Sequence, residues 1–81
     1  MYSVYILECK DKTLYVGCTN NLKKRIHEHS NSKSGAHYTK IRRPVVLKYS
    51  EKFKKYGNAR KRESELKKLK HEDKLKLINL I

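Results

Sequence analysis

Tryptophan is missing from this chain of 81 residues, proline occurs once, glycine three times and cysteine twice. Two cysteines cannot form the disulfide framework that staples many small secreted domains. Cys9 and Cys18 also lie at unequal distances from a turn near Asp11. Even on paired strands, at about 3.3 Å per residue, they are too far apart to bridge without distortion. Both read as reduced thiols of a cytoplasmic protein. Zinc-type spacing is lacking as well: no C-x2-C or H-x3-H pattern occurs, and His27 and His29 would point roughly 200° apart on a helix. No apolar run approaches the ~20 residues that cross a bilayer. The N-terminal MYSVYILECK has no basic region ahead of its short apolar stretch, so no secretory leader is expected. The helices read below lack the bulky apolar face of an interfacial anchor, so no membrane partner is expected either.

Acidic residues are also few. Eight Asp and Glu stand against 21 Lys and Arg, a formal net charge of +13. That excess repels itself and attracts a polyanion, and nucleic acid is the default polyanion. The length suits a single domain spanning residues 1–81 with a small core, since a chain of this size buries only about 60% of its unfolded surface.

The apolar pattern indicates strands first and helices later. YSVYILE (2–8) is apolar on both alternating faces, which marks a central strand. CKDK supplies turn chemistry through Asp11, and TLYVG (13–17) is a second β-rich run, so the two form a hairpin. Gly17 ends that run and permits a backbone conformation or a close approach that a side chain would block. Asn21 is a good N-cap for a helix from Leu22 to about Ser30. NSKSGAHYT has no apolar period and reads as a loop. Pro44 opens a third strand, VVLKYSEKF, whose alternation is weaker. Gly57 and Asn58 end it, with Asn58 capping a helix from Ala59 to about Leu69. Glu72 and Asp73 begin a last short helix, where acids suit the positive end of the helix dipole.

Two of these helices carry charge on their apolar side. At about 100° per residue, Leu22, Arg25, Ile26 and His29 share an arc of roughly 100°. An arginine on a core stripe either pairs with a carboxylate, snorkels off the stripe, or points into a cleft. On the next helix Ala59, Arg62, Leu66 and Leu69 define the apolar side. Glu63 and Glu65 flank it, and Glu63 lies roughly 60° from Leu66. Glu63 reads either as a metal ligand or as the partner of Lys67 one turn on, a pair worth a few tenths of a kcal/mol. Glu65, close to Lys61, Arg62 and Lys68, reads as a surface ion pair.

The order and spacing of these residues resemble a known family. Ser3-Val4-Tyr5 is followed by Tyr15-Val16-Gly17, then Asn21-Leu22, Arg25, His29 and, much later, Glu63. The series is similar to the GIY-YIG nuclease superfamily, the domain type of the catalytic part of the bacterial excinuclease C subunit. The GAHYT, RRPV and RKRE stretches resemble more narrowly its small stand-alone bacterial YhbQ-like group. Two positions depart from the pattern. Ser3 stands where the first motif usually has glycine, and Cys18 stands where the excinuclease-type domain has lysine, which removes a cation.

The resemblance implies an α+β fold, a three-stranded antiparallel sheet flanked by helices. It also implies a phosphodiester-cutting endonuclease acting on DNA, in repair or recombination, with one divalent metal, Mg²⁺ or Mn²⁺. The candidate catalytic set is Tyr5, Tyr15, Arg25, His29 and Glu63, with Glu63 as the metal ligand. The residue chemistry is consistent with those roles. A carboxylate is a hard oxygen ligand, and a guanidinium forks onto phosphate oxygens. Tyr5, Tyr15 and His29 are candidates to position or deprotonate water, although a phenol with an ordinary pKa of about 10 needs a neighbouring cation for a base role. Lys24, Tyr38, Lys40, Arg42 and Arg43 are candidate nucleic-acid contacts, with Tyr38 able to stack on a base. Tyr2, Tyr49 and Tyr56 read as packing. The alternative function is a nucleic-acid-binding module of the same fold with little or no activity.

One geometric expectation follows. Tyr5 and Tyr15 act on one phosphate only if they share a sheet face. Pairing Cys9 with Thr13 around a three-residue loop sets Tyr15 opposite Leu7, on the face of Tyr5. A two-residue turn at Asp11-Lys12 would set the two tyrosines on opposite faces. The sequence therefore predicts an odd-length loop, or a bulge that restores the parity.

Overall fold

The computed structural model describes residues 1–31 and 42–79. Tyr38, Lys40 and the GAHYT stretch lie outside the described residues. Three strands, β1 (Tyr2–Glu8), β2 (Leu14–Thr19) and β3 (Val46–Phe53), form an antiparallel sheet in the order β2-β1-β3. Helix α1 (Leu22–Asn31) follows the hairpin. Helices α2 (Tyr56–Lys68) and α3 (His71–Asn79) follow β3. The molecule is α+β, as expected.

β1 is the central strand because both its faces are apolar, and Ser3 to Leu7 are all buried. Val4 and Ile6 face one side, where Val16 of β2, Ala59 and Leu66 of α2, and Leu77 and Ile78 of α3 cover them. Tyr5, Leu7 and Cys9 face the other side, with Val45, Tyr15 and the α1 residues Leu22 and Ile26. Burying a side chain such as Ile6 or Leu7 is worth about 1.5–3 kcal/mol. The sheet is thus a partition, with α1 on one face and α2 and α3 on the other.

The hairpin has the predicted odd-length loop. Cys9 N–H donates to the Thr13 carbonyl at 2.9 Å, and Leu7 pairs with Tyr15. Asp11 closes the loop by accepting from the Thr13 backbone N–H at 3.1 Å. Lys12 takes a positive φ of 69°. Lysine is a poor residue for that conformation in a tight two-residue turn, yet it adopts it at the last position of the three-residue loop.

Three boundaries differ from the sequence reading. β2 continues through Gly17 to Thr19. β3 ends at Phe53, and α2 begins at Tyr56 with Lys55 as a cap that makes no side-chain hydrogen bond, so Gly57 and Asn58 lie in its first turn. The Tyr56 ring rests on Tyr2 at 5.2 Å between centroids, and that tertiary contact holds the first turn where a local cap was expected. The weak alternation of β3 has its cause in a register shift opposite Ile6 and Leu7, which pair with Tyr49 and Leu47 and leave Lys48 as the extra residue.

The second cation on a core stripe has a structural role. Arg62 Nε donates to Glu51 Oε2 of β3 at 3.0 Å, and the Tyr49 hydroxyl donates to the same oxygen at 2.5 Å. A half-buried arginine is tolerated there because a carboxylate neutralises it.

Candidate active site

α1 delivers two residues to the face that carries the motif tyrosines. Asn21 caps the helix by accepting from the Lys24 N–H at 3.1 Å, as the sequence indicates. One turn in, Arg25 is half-buried, and one turn further His29 is fully buried. His29 lies between the tyrosines: its ring centroid is 5.8 Å from that of Tyr5 and 5.1 Å from that of Tyr15. The Tyr5 hydroxyl and His29 Nε2 are 2.8 Å apart.

Electrostatics sets the direction of that hydrogen bond. Burial pushes the Tyr5 phenol up to about 12, and the nearby Arg25 guanidinium offsets only part of the rise. Burial, reinforced by the positive charge of Arg25, brings His29 down to about 4. At neutral pH the phenol is therefore protonated and the imidazole neutral, so the Tyr5 O–H donates to Nε2. Arg25 also bonds Glu28 Oε1 at 3.1 Å, so the carboxylate pairing expected for a stripe arginine is present in addition to its place beside Tyr5.

Gly17 makes this arrangement possible. It pairs with Tyr5 across the hairpin, and the Tyr5 ring lies over it. A Cβ at Gly17 would collide with the Tyr5 hydroxyl and Cζ. The close approach inferred from the sequence is thus made by the other motif's tyrosine.

Glu63 comes from the opposite layer. It lies on α2, buried apart from 6% of its surface, and its carboxylate holds two cations: Arg60 Nε at 3.4 Å and Lys67 Nζ at 3.1 Å. The ion pair weighed against a metal role is therefore present. An open cleft of ≈ 290 Å³ beside it is lined by Arg60, Glu63, Ser64, Lys67 and Lys68. The Cys18 thiol is near enough to be raised, first by burial and then by the Glu63 charge. That same charge adds to the rise of Tyr5. Tyr5, Tyr15, Arg25 and His29 are thus one contiguous group, and Glu63 lies on α2, in the layer across the sheet.

The nucleic-acid candidates divide. Lys24 is exposed on α1. Arg43 donates from Nε to the His29 carbonyl at 2.6 Å and from Nη2 to the Glu28 carbonyl at 3.0 Å, tying off the last turn of α1. Arg42 pairs with Asp11 at 3.0 Å and fastens the hairpin loop. Sequence reasoning missed these structural tasks, and it also missed Arg60. The only signal for Arg60 was its place one turn before Glu63.

A metal fits the donor set in one specific way. No group of three or more His, Cys, Asp or Glu side chains converges among the described residues. Mg²⁺ and Mn²⁺ do not require one, because they are commonly held by one or two carboxylates with substrate phosphate and water. Glu63 is a carboxylate of that kind, and Arg60 and Lys67 compete with a metal for its two oxygens.

Known proteins resemble this chain over most of its length. Residues 1–76 match the family described as the GIY-YIG catalytic domain. A UPF0213 protein of Syntrophus aciditrophicus is 52% identical over 75 residues, covering 93% of this chain and 86% of that one. UPF0213 protein SH2523 of Staphylococcus haemolyticus is 51% identical over 75 residues, covering 93% and 90%. The solution NMR structure of UPF0213 protein BH0048 from Bacillus halodurans superposes with a TM-score of 0.63 at 40% identity, over 99% of this chain and 85% of that one.

Proposed function

The chain belongs to the GIY-YIG catalytic-domain family, a nuclease family, and from that premise we propose that it is an endonuclease hydrolysing phosphodiester bonds in DNA with one divalent metal, Mg²⁺ or Mn²⁺. The observation that carries the reading is the joint placement of Tyr5, Tyr15, Arg25 and His29 on one sheet face, with the Glu63 carboxylate near enough to influence Tyr5.

Burial separates the roles within the set. Tyr5 and His29 are 1% and 0% exposed, so they act as positioning residues. Their hydrogen bond fixes the two rings, and the Tyr15 ring lies tilted against His29, 5.1 Å between centroids. Tyr15 and Arg25 remain partly accessible. Arg25 receives the scissile phosphate on its planar donors. The Tyr15 hydroxyl orients the attacking water; as the new P–O bond forms and the P–O ester bond breaks, the water's proton passes to bulk water and the departing oxygen takes a proton from bulk water. Glu63 would hold the metal, which when bound would relieve charge on the phosphate and on the leaving oxygen, and Arg60 and Lys67 are the cations beside that carboxylate. The reaction belongs to DNA processing of the repair or recombination kind.

A second reading has one observation in its favour. The Glu63 carboxylate is already neutralised by Arg60 and Lys67, as it would be in a binding module that cuts nothing. A panel of labelled duplex, branched and single-stranded DNA, incubated with Mg²⁺ or Mn²⁺ and with a chelator, separates the two. Metal-dependent nicks in any substrate support the nuclease. Tight binding with no product across the panel supports the binding module.

A further inference from the structure

Tyr56, at the start of α2, packs on Tyr2 as the sequence indicates, yet it is 53% exposed. One edge of its ring is backed by Tyr2, 5.2 Å away and tilted by 58°. The Arg60 guanidinium carbon lies 5.9 Å from the ring centroid. Lys54 and Lys55 are exposed immediately before it. An aromatic ring held by another ring, half exposed and with a guanidinium over it, costs apolar exposure without filling the core.

Its position gives the exposure a use. Tyr56, Arg60, Glu63 and Lys67 are spaced by four, three and four residues, so they form one stripe along α2. The Arg60 guanidinium joins the stripe together, lying over the Tyr56 ring at 5.9 Å from its centroid and pairing with the Glu63 carboxylate at 3.4 Å. Seven residues of helix set Tyr56 about 10 Å along the axis from Glu63. That is the reach of one or two nucleotides from a phosphate held at Glu63.

We propose that Tyr56, backed by Tyr2 and flanked by Arg60, Lys54 and Lys55, is a stacking platform for an unpaired base of the DNA strand that runs past Glu63. The inference rests on the nuclease reading for the identity of the strand, but not for the contact itself. A base has a π-face whatever its sequence, and stacking on an aromatic ring with a cation beside it is the usual means of holding single strands. In a duplex the same face is hidden by the neighbouring base pair. The platform therefore selects substrates that are single-stranded or frayed on one side of the cut, and it discriminates weakly among bases.

The test measures binding, with a chelator present and at fixed salt, so that cleavage plays no part. Labelled oligothymidylate, an abasic oligomer of equal length and a blunt duplex are titrated with wild type, Tyr56→Ala and Tyr56→Phe. Wild type binds the oligothymidylate more tightly than the abasic strand. Tyr56→Ala loses about five- to a hundredfold on the oligothymidylate and binds the abasic strand and the duplex as wild type does. Tyr56→Phe keeps the preference, which separates stacking from the hydroxyl and from any loss of fold. An undiminished preference for bases in Tyr56→Ala, or an equal loss on all three probes, overturns the proposal. If the nuclease reading fails, these affinities are unchanged. If the platform fails, Tyr56→Ala keeps the wild-type preference for bases over the abasic strand, whether or not the wild-type protein cuts DNA.

Discussion

At Gly17 an added methyl meets the hydroxyl and ring of Tyr5. The ring cannot yield, because its hydroxyl is bonded to His29 at 2.8 Å. Gly17→Ala should therefore destabilise the fold by about 1–3 kcal/mol in urea denaturation. The loss should shrink in the background Tyr5→Leu, whose shorter side chain leaves the space open, and a double-mutant cycle reads that coupling. His29 gives a second residue-scale prediction. Its native value of about 4 lies below its ordinary value of 6.5, so between pH 6.5 and 4 the unfolded chain binds the proton and the native protein does not. Stability is therefore lost as pH decreases across that window, by about 1.4 kcal/mol per unit at most. The difference between wild type and His29→Gln isolates this slope from the carboxylates, with the variant showing the shallower decline. Tyr5 works in the opposite direction: held near 12, it contributes stability that is lost as pH rises from 10 through 12.

Among the elements, α1 depends most on a residue from outside itself. Arg43, fourteen residues beyond His29, holds the last carbonyls of α1 with two hydrogen bonds, and a cation there also suits the negative end of the helix dipole. Arg43→Ala should cost about 1–3 kcal/mol and loosen His29 with it. A circular-dichroism melt and the Tyr5–His29 proton signals check both effects. Such a link joins distant segments and leaves no trace in local periodicity, so Arg43 looked like a nucleic-acid contact in the sequence. The start of α2 was hidden for the same reason: Asn58 is the better local cap, and the Tyr2 ring that favours Tyr56 belongs to the first strand. Elements whose determinants are local were legible. The alternation of β1, the parity of the hairpin loop, the Asn21 cap and the Arg25–His29 stripe all follow from neighbours within a few residues. That Tyr5, Tyr15, Arg25 and His29 come together was legible from the strand parity and the helix stripe. Which of them are buried and which stay partly accessible was not, because that depends on which side of the sheet each helix covers.

For the whole molecule, the net charge of +13 should make DNA binding depend steeply on salt. Log affinity should fall with log salt at about −0.9 per phosphate neutralised on duplex, and a flat plot would mean that the charge serves only solvation. Arg25→Lys should leave that slope nearly unchanged while lowering turnover about a hundredfold or more, because a point charge attracts a phosphate without orienting it. The central claim is that this fold hydrolyses DNA through a metal held at Glu63. It is tested most directly by single-turnover cleavage with saturating Mg²⁺ or Mn²⁺, comparing wild type with Glu63→Gln after their affinities in chelator have been matched. The account predicts cutting by wild type and none by the variant, with equal binding by both. Equal cutting by the two proteins would contradict it.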